Sequence, residues 1–271
     1  MLVLLYIFFG LTSARLLDLS HSVGEDSRIW LGYNGFNRTA FFYGTQDAGF
    51  WLTAYDVAFP EHISTHLDAP SHFYEHGLTV DNIPIEDLVG PAVVVDMKAR
   101  ASLSDNAELS TEDLNKWLEK HGSLPDGVVV FIRTGWGERY FNQTAYFGTD
   151  SKDVTKMKHP GLSRGAAEIL ANYNETHGRR VLGVGGLDTP SLDPGNSTTF
   201  PAHQVLAAKN IYRIEHVANL HLLPDIGAEV TVLPIKFTGG SGGPCRILAK
   251  ISDQVASGRI EHPSTSKPAK I

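Results

Sequence analysis

The chain has 271 residues, 42% hydrophobic and 20% charged, the proportions of an ordinary globular protein. A formal charge of −7 with no basic cluster argues against nucleic acid as a partner. Cys245 is the single cysteine, so no intramolecular disulfide is available and core burial must hold the fold.

In chain order, Leu2 to Phe9 is a continuous apolar run followed by the small residues Thr12-Ser13-Ala14. That pattern predicts a signal peptide over residues 1–14, too short to span a bilayer, hence a secreted chain with no membrane association once it is removed. Four sequons, at Asn37, Asn142, Asn174 and Asn196, fit glycosylation on a secretory route. Leu16 to Ser20 reads as an opening strand. Residues 21–61 are rich in Gly, Asn and aromatics without clear period, and predict loops with short strands.

Next comes the densest chemistry: His62-Ile63-Ser64-Thr65-His66-Leu67-Asp68-Ala69-Pro70-Ser71-His72. If extended, His62, Ser64, His66 and Asp68 share one face, because strand side chains alternate. Two imidazoles and a carboxylate converging there suit a divalent ion such as Zn²⁺ or Mn²⁺. The helical metalloprotease pattern needs Glu after the first His, and Ile63 stands there instead. Pro70 ends regular pairing and could turn His72 back toward the site.

Ala92 to Asp96 reads as a buried strand. A helix capped at Ser110 runs to about Lys120, with acids in its first turn. Gly127 to Arg133 is another buried strand, Ser163 to Tyr173 a helix, and Val181 to Leu187 a Gly-rich strand. Ala202 to Lys209 reads as a short helix, and Ile211 to Val217 and Ala228 to Pro234 as strands. Alternating helices and strands predict an α/β domain with a mixed sheet over residues 15–256, followed by a polar tail over 257–271. A second polar cluster is His203, Glu215 and His216. On one continuous helix His203 and Glu215 would sit about 18 Å apart along the axis, so joint ligation requires a break near Asn210. His76, His121, His177, His216, His221 and His262 match no ligand spacing. Trp51, Phe59, Trp136 and Phe141 are candidate walls for an aromatic substrate. Cys245 reads as a small packed residue, and Ser191 and Ser241 lack a triad context.

These motifs, in this order, resemble the cyclase-like metal hydrolase family, which contains bacterial-type kynurenine formamidase and isatin hydrolase. The resemblance rests on Asp18-Leu19-Ser20-His21, His62-x-x-Thr65-His66-x-Asp68-Ala69-Pro70-x-His72-Phe73 and Arg133-Thr134-Gly135-Trp136. It continues through Pro160-Gly161-Leu162, Gly186-Leu187-Asp188-Thr189-Pro190-Ser191, the spacing from His203 to Glu215, Pro234-Ile235-Lys236 and Gly239-Gly240-Ser241-Gly242-Gly243-Pro244-Cys245-Arg246. It implies a swivelling β/β/α fold, a homo-oligomer, and two ions, Zn²⁺ or else Mn²⁺. His62, His66 and Asp68 would hold one, and Asp68, His203 and Glu215 the other, with His72 as acid/base. Two departures stand out: Ser64 replaces a usual Gly close to the metals, and His159 replaces a commonly aromatic residue.

The implied activity is metal-dependent hydrolysis of an aryl formamide, N-formylkynurenine to kynurenine and formate, with hydroxide generated at the metals. The alternative substrate is a cyclic amide such as isatin. A third reading is a non-catalytic secreted metal-binding glycoprotein. Tryptophan breakdown is usually intracellular, which sets the secretory address against the first reading.

Overall fold

The computed structural model describes residues 14–185 and 187–252. The signal-peptide and tail segments therefore lie outside the described residues, apart from Ala14. The strands and helices, in chain order, are β1 (Ala14–Asp18), the hairpin β2 (Asn37–Thr45) and β3 (Trp51–Ala58), β4 (His66–Asp68), β5 (Val89–Asp96), α1 (Lys98–Ala101), β6 (Glu108–Leu109) and α2 (Thr111–His121). Then come β7 (Val128–Arg133), α3 (Gln143–Phe147), β8 (Gly161–Leu162), α4 (Arg164–Ala171), α5 (Tyr173–His177), β9 (Val181–Gly185), α6 (Pro201–Ala207), β10 (Tyr212–Glu215), β11 (Ala228–Pro234) and β12 (Gly242–Ser252).

The expected mixed sheet is present, but it closes on itself. Its order is β12-β11-β5-β7-β9-β10-β4, and β4 pairs back onto the first residues of β12. The result is a seven-strand barrel, with β1 pairing beside it on the far half of β12. The run β5, β7, β9, β10 is parallel, so each link must cross over outside the sheet. The links carry α2, α4 and α6. The remaining barrel pairs are antiparallel.

Alternation along the strands builds two cores. Val94, Val129, Phe131, Leu182, Ile214, Leu67, Val230 and Ile247 come from all seven barrel strands and fill the interior. Their neighbours Val93, Val95, Val130, Ile132 and Val181 face outward and meet Trp117, Ala167, Leu170 and Leu206 of the helices. Each such apolar side chain removed from water contributes about 1.5–3 kcal/mol. Helix α2 starts as expected. Asp113 N–H donates to Ser110 Oγ (3.2 Å), and Ser110 N–H donates to Asp113 Oδ2 (3.0 Å).

Two elements differ from the sequence reading. The segment before His62 holds a long hairpin rather than short strands. Both its faces are largely exposed, including Phe41, Tyr43 and Trp51, so no buried face imposes a period on it. Strand β12 was not anticipated, because its Gly-rich start hides the pattern that follows. Cys245, Ile247, Ala249 and Ile251 are buried while Arg246, Leu248 and Lys250 are exposed, the alternation of a half-buried strand. Cys245 is packed in the barrel core, and burial pushes its thiol pKa up, away from reactivity. Among the described residues no helix is long and apolar enough to cross a membrane.

Candidate metal centre

Strands β4 and β10 are antiparallel neighbours, with His66 opposite Glu215 and Asp68 opposite Arg213. Leu67 and Ile214 point into the barrel, so His66, Asp68, Arg213 and Glu215 all lie on its outer face. Helix α6 covers that face and brings His203. The required break between His203 and Glu215 falls at Asn210, whose φ of 55° ends the helical path. The expectation that four residues from His62 onward form one extended face does not hold. Ser64 has φ 55°, a left-handed conformation that interrupts the strand, and His62 reaches the site from the preceding loop. Gly, the residue that the resemblance implies at this position, adopts this conformation without strain. The Ser64 hydroxyl does not reach the site. It lies 3.1 Å from Ser22 O, where it donates, and 3.1 Å from Tyr140 Oη.

All five expected ligands are buried, and the expected set Asp68, His203 and Glu215 forms one group, whereas His62 groups with Asp68 and His72, and His66 with Glu215 and His216. For neutral imidazoles the hydrogen positions follow from what each ring does on its far side. Ser241 Oγ–H donates to Glu61 Oε2 (2.6 Å), since a carboxylate only accepts, so Ser241 Oγ accepts from His62 Nε2–H (3.0 Å). His62 Nδ1 is then a bare lone pair, 2.7 Å from Asp68 Oδ1. His66 Nδ1–H donates to Ser64 O (2.9 Å), which leaves Nε2 bare at 3.2 Å from Asp68 Oδ1 and 3.5 Å from Glu215 Oε2. His203 Nδ1–H donates to Asp193 Oδ2 (2.6 Å), leaving Nε2 at 3.0 Å from Glu215 Oε1 and 3.6 Å from Asp68 Oδ2. Three nitrogen lone pairs thus face carboxylate oxygens, acceptor against acceptor. Only cations between them relieve that repulsion.

The charge count agrees. Asp68, Asp193 and Glu215 are buried here against one buried cation, Arg213. A deficit of positive charge in a dry site is costly unless protons or a metal supply it. Protons can do so. Burial opposes charge on His203, but hydrogen bonds to Asp193, Asp68 and Glu215 outweigh it and hold its pKa well above the ordinary value. His66 is raised in the same way, chiefly by Asp68 against burial. Burial also opposes the charge on Asp68, yet the imidazoles of His62, His72 and His203 keep its carboxyl well below the usual range. A divalent ion can replace these protons, and the far-side hydrogen bonds on all three histidines are the supports that metal-bound imidazoles carry. The donor set fits a metal.

His72 stacks on His62 (ring centroids 4.0 Å) and is half-buried at the cavity. Burial pushes its pKa down to about 3, against the pull of Asp68. At neutral pH the ring is therefore unprotonated.

The cavity, about 210 Å³, is walled by Trp30, Tyr33, Phe73 and Phe200. None of the four aromatics expected from sequence lines it: Trp51 and Phe141 are exposed, Trp136 is buried elsewhere, and Phe59 stacks on Phe36. Sequence reasoning also missed Asp193, Glu61 and Arg213, which support the ligands, and it set His216 aside although it lines the cavity beside His66 and Glu215. Asp188 is structural. Thr134 Oγ1 and the N–H groups of Thr134 and Gly135 donate to it, tying two of the recognised motifs together. His159 is buried, with Nδ1 3.1 Å from Pro160 O and its pKa lowered to about 4 by burial, and nothing in the structure explains its replacing an aromatic residue. Asn37, Asn142, Asn174 and Asn196 are all exposed.

The chain is similar to known proteins. A model of the family described as putative cyclase matches residues 17–194. The chain is 32% identical over 198 residues to an isatin hydrolase of Roseibium aggregatum, covering 70% of this chain and 72% of that one. It is 27% identical to a kynurenine formamidase of Salinibacter ruber, over 87% of this chain and 97% of that one. The solved isatin hydrolase A of Labrenzia aggregata, bound to benzyl benzoate, superposes with a TM-score of 0.77 at 29% identity, over 88% of this chain and 94% of that one.

Proposed function

Because the chain belongs to the putative cyclase family and is a hydrolase of that family, we propose that it hydrolyses the C–N bond of an aryl amide, and that the amide is cyclic, of the isatin type. This reverses the order of the two substrates drawn from sequence. The more similar of the two curated relatives above, and the solved structure, are both isatin hydrolases. The observation that carries the reading is the set of three imidazole nitrogens facing two carboxylates on the floor of an aromatic-walled cavity.

His62, His66, Asp68, His203 and Glu215 would hold the metal, Zn²⁺ or Mn²⁺. When bound, such an ion polarises an amide carbonyl and acidifies water. The side chains do the rest. Trp30, Tyr33, Phe73 and Phe200 hold the flat aryl ring and keep bulk water out. His72, neutral at the cavity, accepts a proton from the attacking water and returns it to the departing aryl nitrogen. A carbon–oxygen bond forms, the carbon–nitrogen bond breaks, and a cyclic amide leaves as one open amino acid anion. The resemblance implies two ions. The buried charge is balanced by one, and a metal count per chain distinguishes them. The exposed sequons and the apolar N-terminus support the further proposal that the chain is a secreted glycoprotein.

The test is side-by-side turnover of isatin and N-formylkynurenine by purified protein, stripped with chelator and restored with Zn²⁺ or Mn²⁺. Metal-restored opening of isatin is the expected result. Faster turnover of the formamide would reinstate the other substrate, and neither activity in a folded, metal-loaded protein would refute the proposal.

A further inference from the structure

This inference rests on the amide hydrolysis just proposed and adds a substrate contact to it. His216 directly follows Glu215 but leaves the strand, with φ 54°. Its backbone is pinned: its N–H donates to Thr189 O (3.2 Å), and its carbonyl accepts from Thr65 Oγ1 (2.6 Å). The imidazole lines the cavity, with its ring centroid 5.5 Å from that of His66. Its Nδ1 lies 3.0 Å from Tyr146 Oη.

Which atom carries the hydrogen in that bond decides what His216 can do. Tyr146 is wholly buried, and His216 Nδ1 is its hydroxyl's one partner among the described residues. Were Nδ1 protonated, it would donate to the phenol oxygen, and the phenol O–H would be left buried with no acceptor. With the O–H donating to Nδ1, both groups are satisfied. The imidazole hydrogen then sits on Nε2. That nitrogen has no protein partner among the described residues, and it faces the cavity rather than Tyr146, which does not line it.

The geometry points to His216 as a catalytic residue of this reaction: Nε2–H donates to an oxygen of the substrate's acyl group as the carbon–nitrogen bond is attacked. Tyr146 is its positioning residue, locking the tautomer. The same lock keeps Nε2 from acting as a further ligand beside His66 and Glu215, although the three residues approach one another closely enough to form a set.

The experiment uses the full, Zn²⁺-loaded chain with ¹⁵N-labelled histidine. Two-bond proton–nitrogen correlation reads which ring nitrogen of His216 carries the hydrogen, the signals being assigned by their loss in His216→Ala. Nε2–H is expected in the wild type, and a mixture of tautomers in Tyr146→Phe. His216→Ala should keep its metal and lose about 10²-fold in kcat, the scale of a single oxyanion donor. His216→Gln, whose amide N–H can stand in, should recover part of that loss. Tyr146→Phe should lose about 10-fold in kcat with KM unchanged, a smaller effect because the donor is misoriented rather than removed. A wild-type Nδ1–H tautomer, loss of metal from His216→Ala, or unchanged kcat in all three variants would overturn the assignment. Should the wild type not open isatin, the substrate proposal fails on its own. The donor is then judged by the tautomer and by titration with phenylglyoxylate, an aryl keto acid: a moved Nε2–H signal upholds it, and an unmoved one at saturation overturns it.

Discussion

Asp193→Asn isolates the support beneath one ligand. In the native protein this wholly buried carboxylate accepts three hydrogen bonds, from Ala202 N–H (3.0 Å), His203 N–H (3.2 Å) and His203 Nδ1–H (2.6 Å). The first two tie down the start of α6, and the third orients the ligand imidazole. Asp193 Oδ2 accepts both His203 bonds and Oδ1 the Ala202 one, so asparagine, with one acceptor oxygen, can keep the ring bond as a neutral one while its NH₂ faces the Ala202 N–H. A hydrogen bond to a charged partner contributes about 1.5–3 kcal/mol and a neutral one about 1. The difference, about 0.5–2 kcal/mol, should fall mainly on the imidazole and so on the metal. That corresponds to roughly 2–30-fold weaker binding, which reaches into the usual range for such supports. Competition for Zn²⁺ against a chromophoric chelator measures it, and melting of the stripped protein provides the control. Metal-free stability should fall as well, because without metal Asp193 faces a protonated His203, and the melt reads that loss separately from the Zn²⁺ affinity. Unchanged Zn²⁺ affinity in a folded Asp193→Asn protein would refute the claim that Asp193 prepares His203 for a cation.

The remaining predictions concern the rest of the centre. Asp68→Ala removes the carboxylate that faces His62, His66 and His203, and elemental analysis should find the metal lost. His72→Ala should retain both fold and metal, while kcat falls by about 10²–10⁴-fold in a single-turnover assay. Metal uptake by stripped protein near pH 7 should release protons. Without metal, His203 is held protonated by a pKa raised well above the ordinary value, and the ion takes that proton's place. Calorimetry in two buffers of different ionisation enthalpy should give different apparent heats. At Ser64, Gly should be close to neutral and Ala worse by about 1 kcal/mol in a denaturant melt. Gly relieves the positive φ, whereas Ala keeps the strain and loses the hydroxyl's bonds.

How much of this was legible in the sequence follows from how the parts are joined. His62, His66, Asp68 and His72 lie within eleven residues, so local spacing announces them, and the break at Asn210 follows from helix geometry alone. Asp193, Glu61 and Tyr146 act on His203, on His62 through Ser241, and on His216 across 10, 180 and 70 residues. The first lies within the one link between β9 and β10, the other two join segments far apart in the chain, and no local pattern marks any of them. Arg213 was hidden for another reason. One residue from the buried Ile214, it looks like the exposed half of an alternating strand, yet it is wholly buried beside Asp68. The aromatic wall failed because ring content does not say which side of a fold a ring faces. Trp51 and Trp30 are alike in composition, but one sits on an open hairpin and the other lines the cavity.

The closure of the barrel also governs how this sequence can change length. Strand β4 is three residues long, and both its edges are used, by β10 on one side and β12 on the other. A single residue inserted between His66 and Asp68 would put one of them on the barrel's interior face, among Leu67 and Ile214, and leave its partner without a neighbour. The hairpin of β2 and β3 pairs only with itself among the described strands. Insertions and deletions in its turn leave every ligand where it was. Relatives of this chain should therefore differ freely in length between residues 37 and 58, and not at all between 62 and 72.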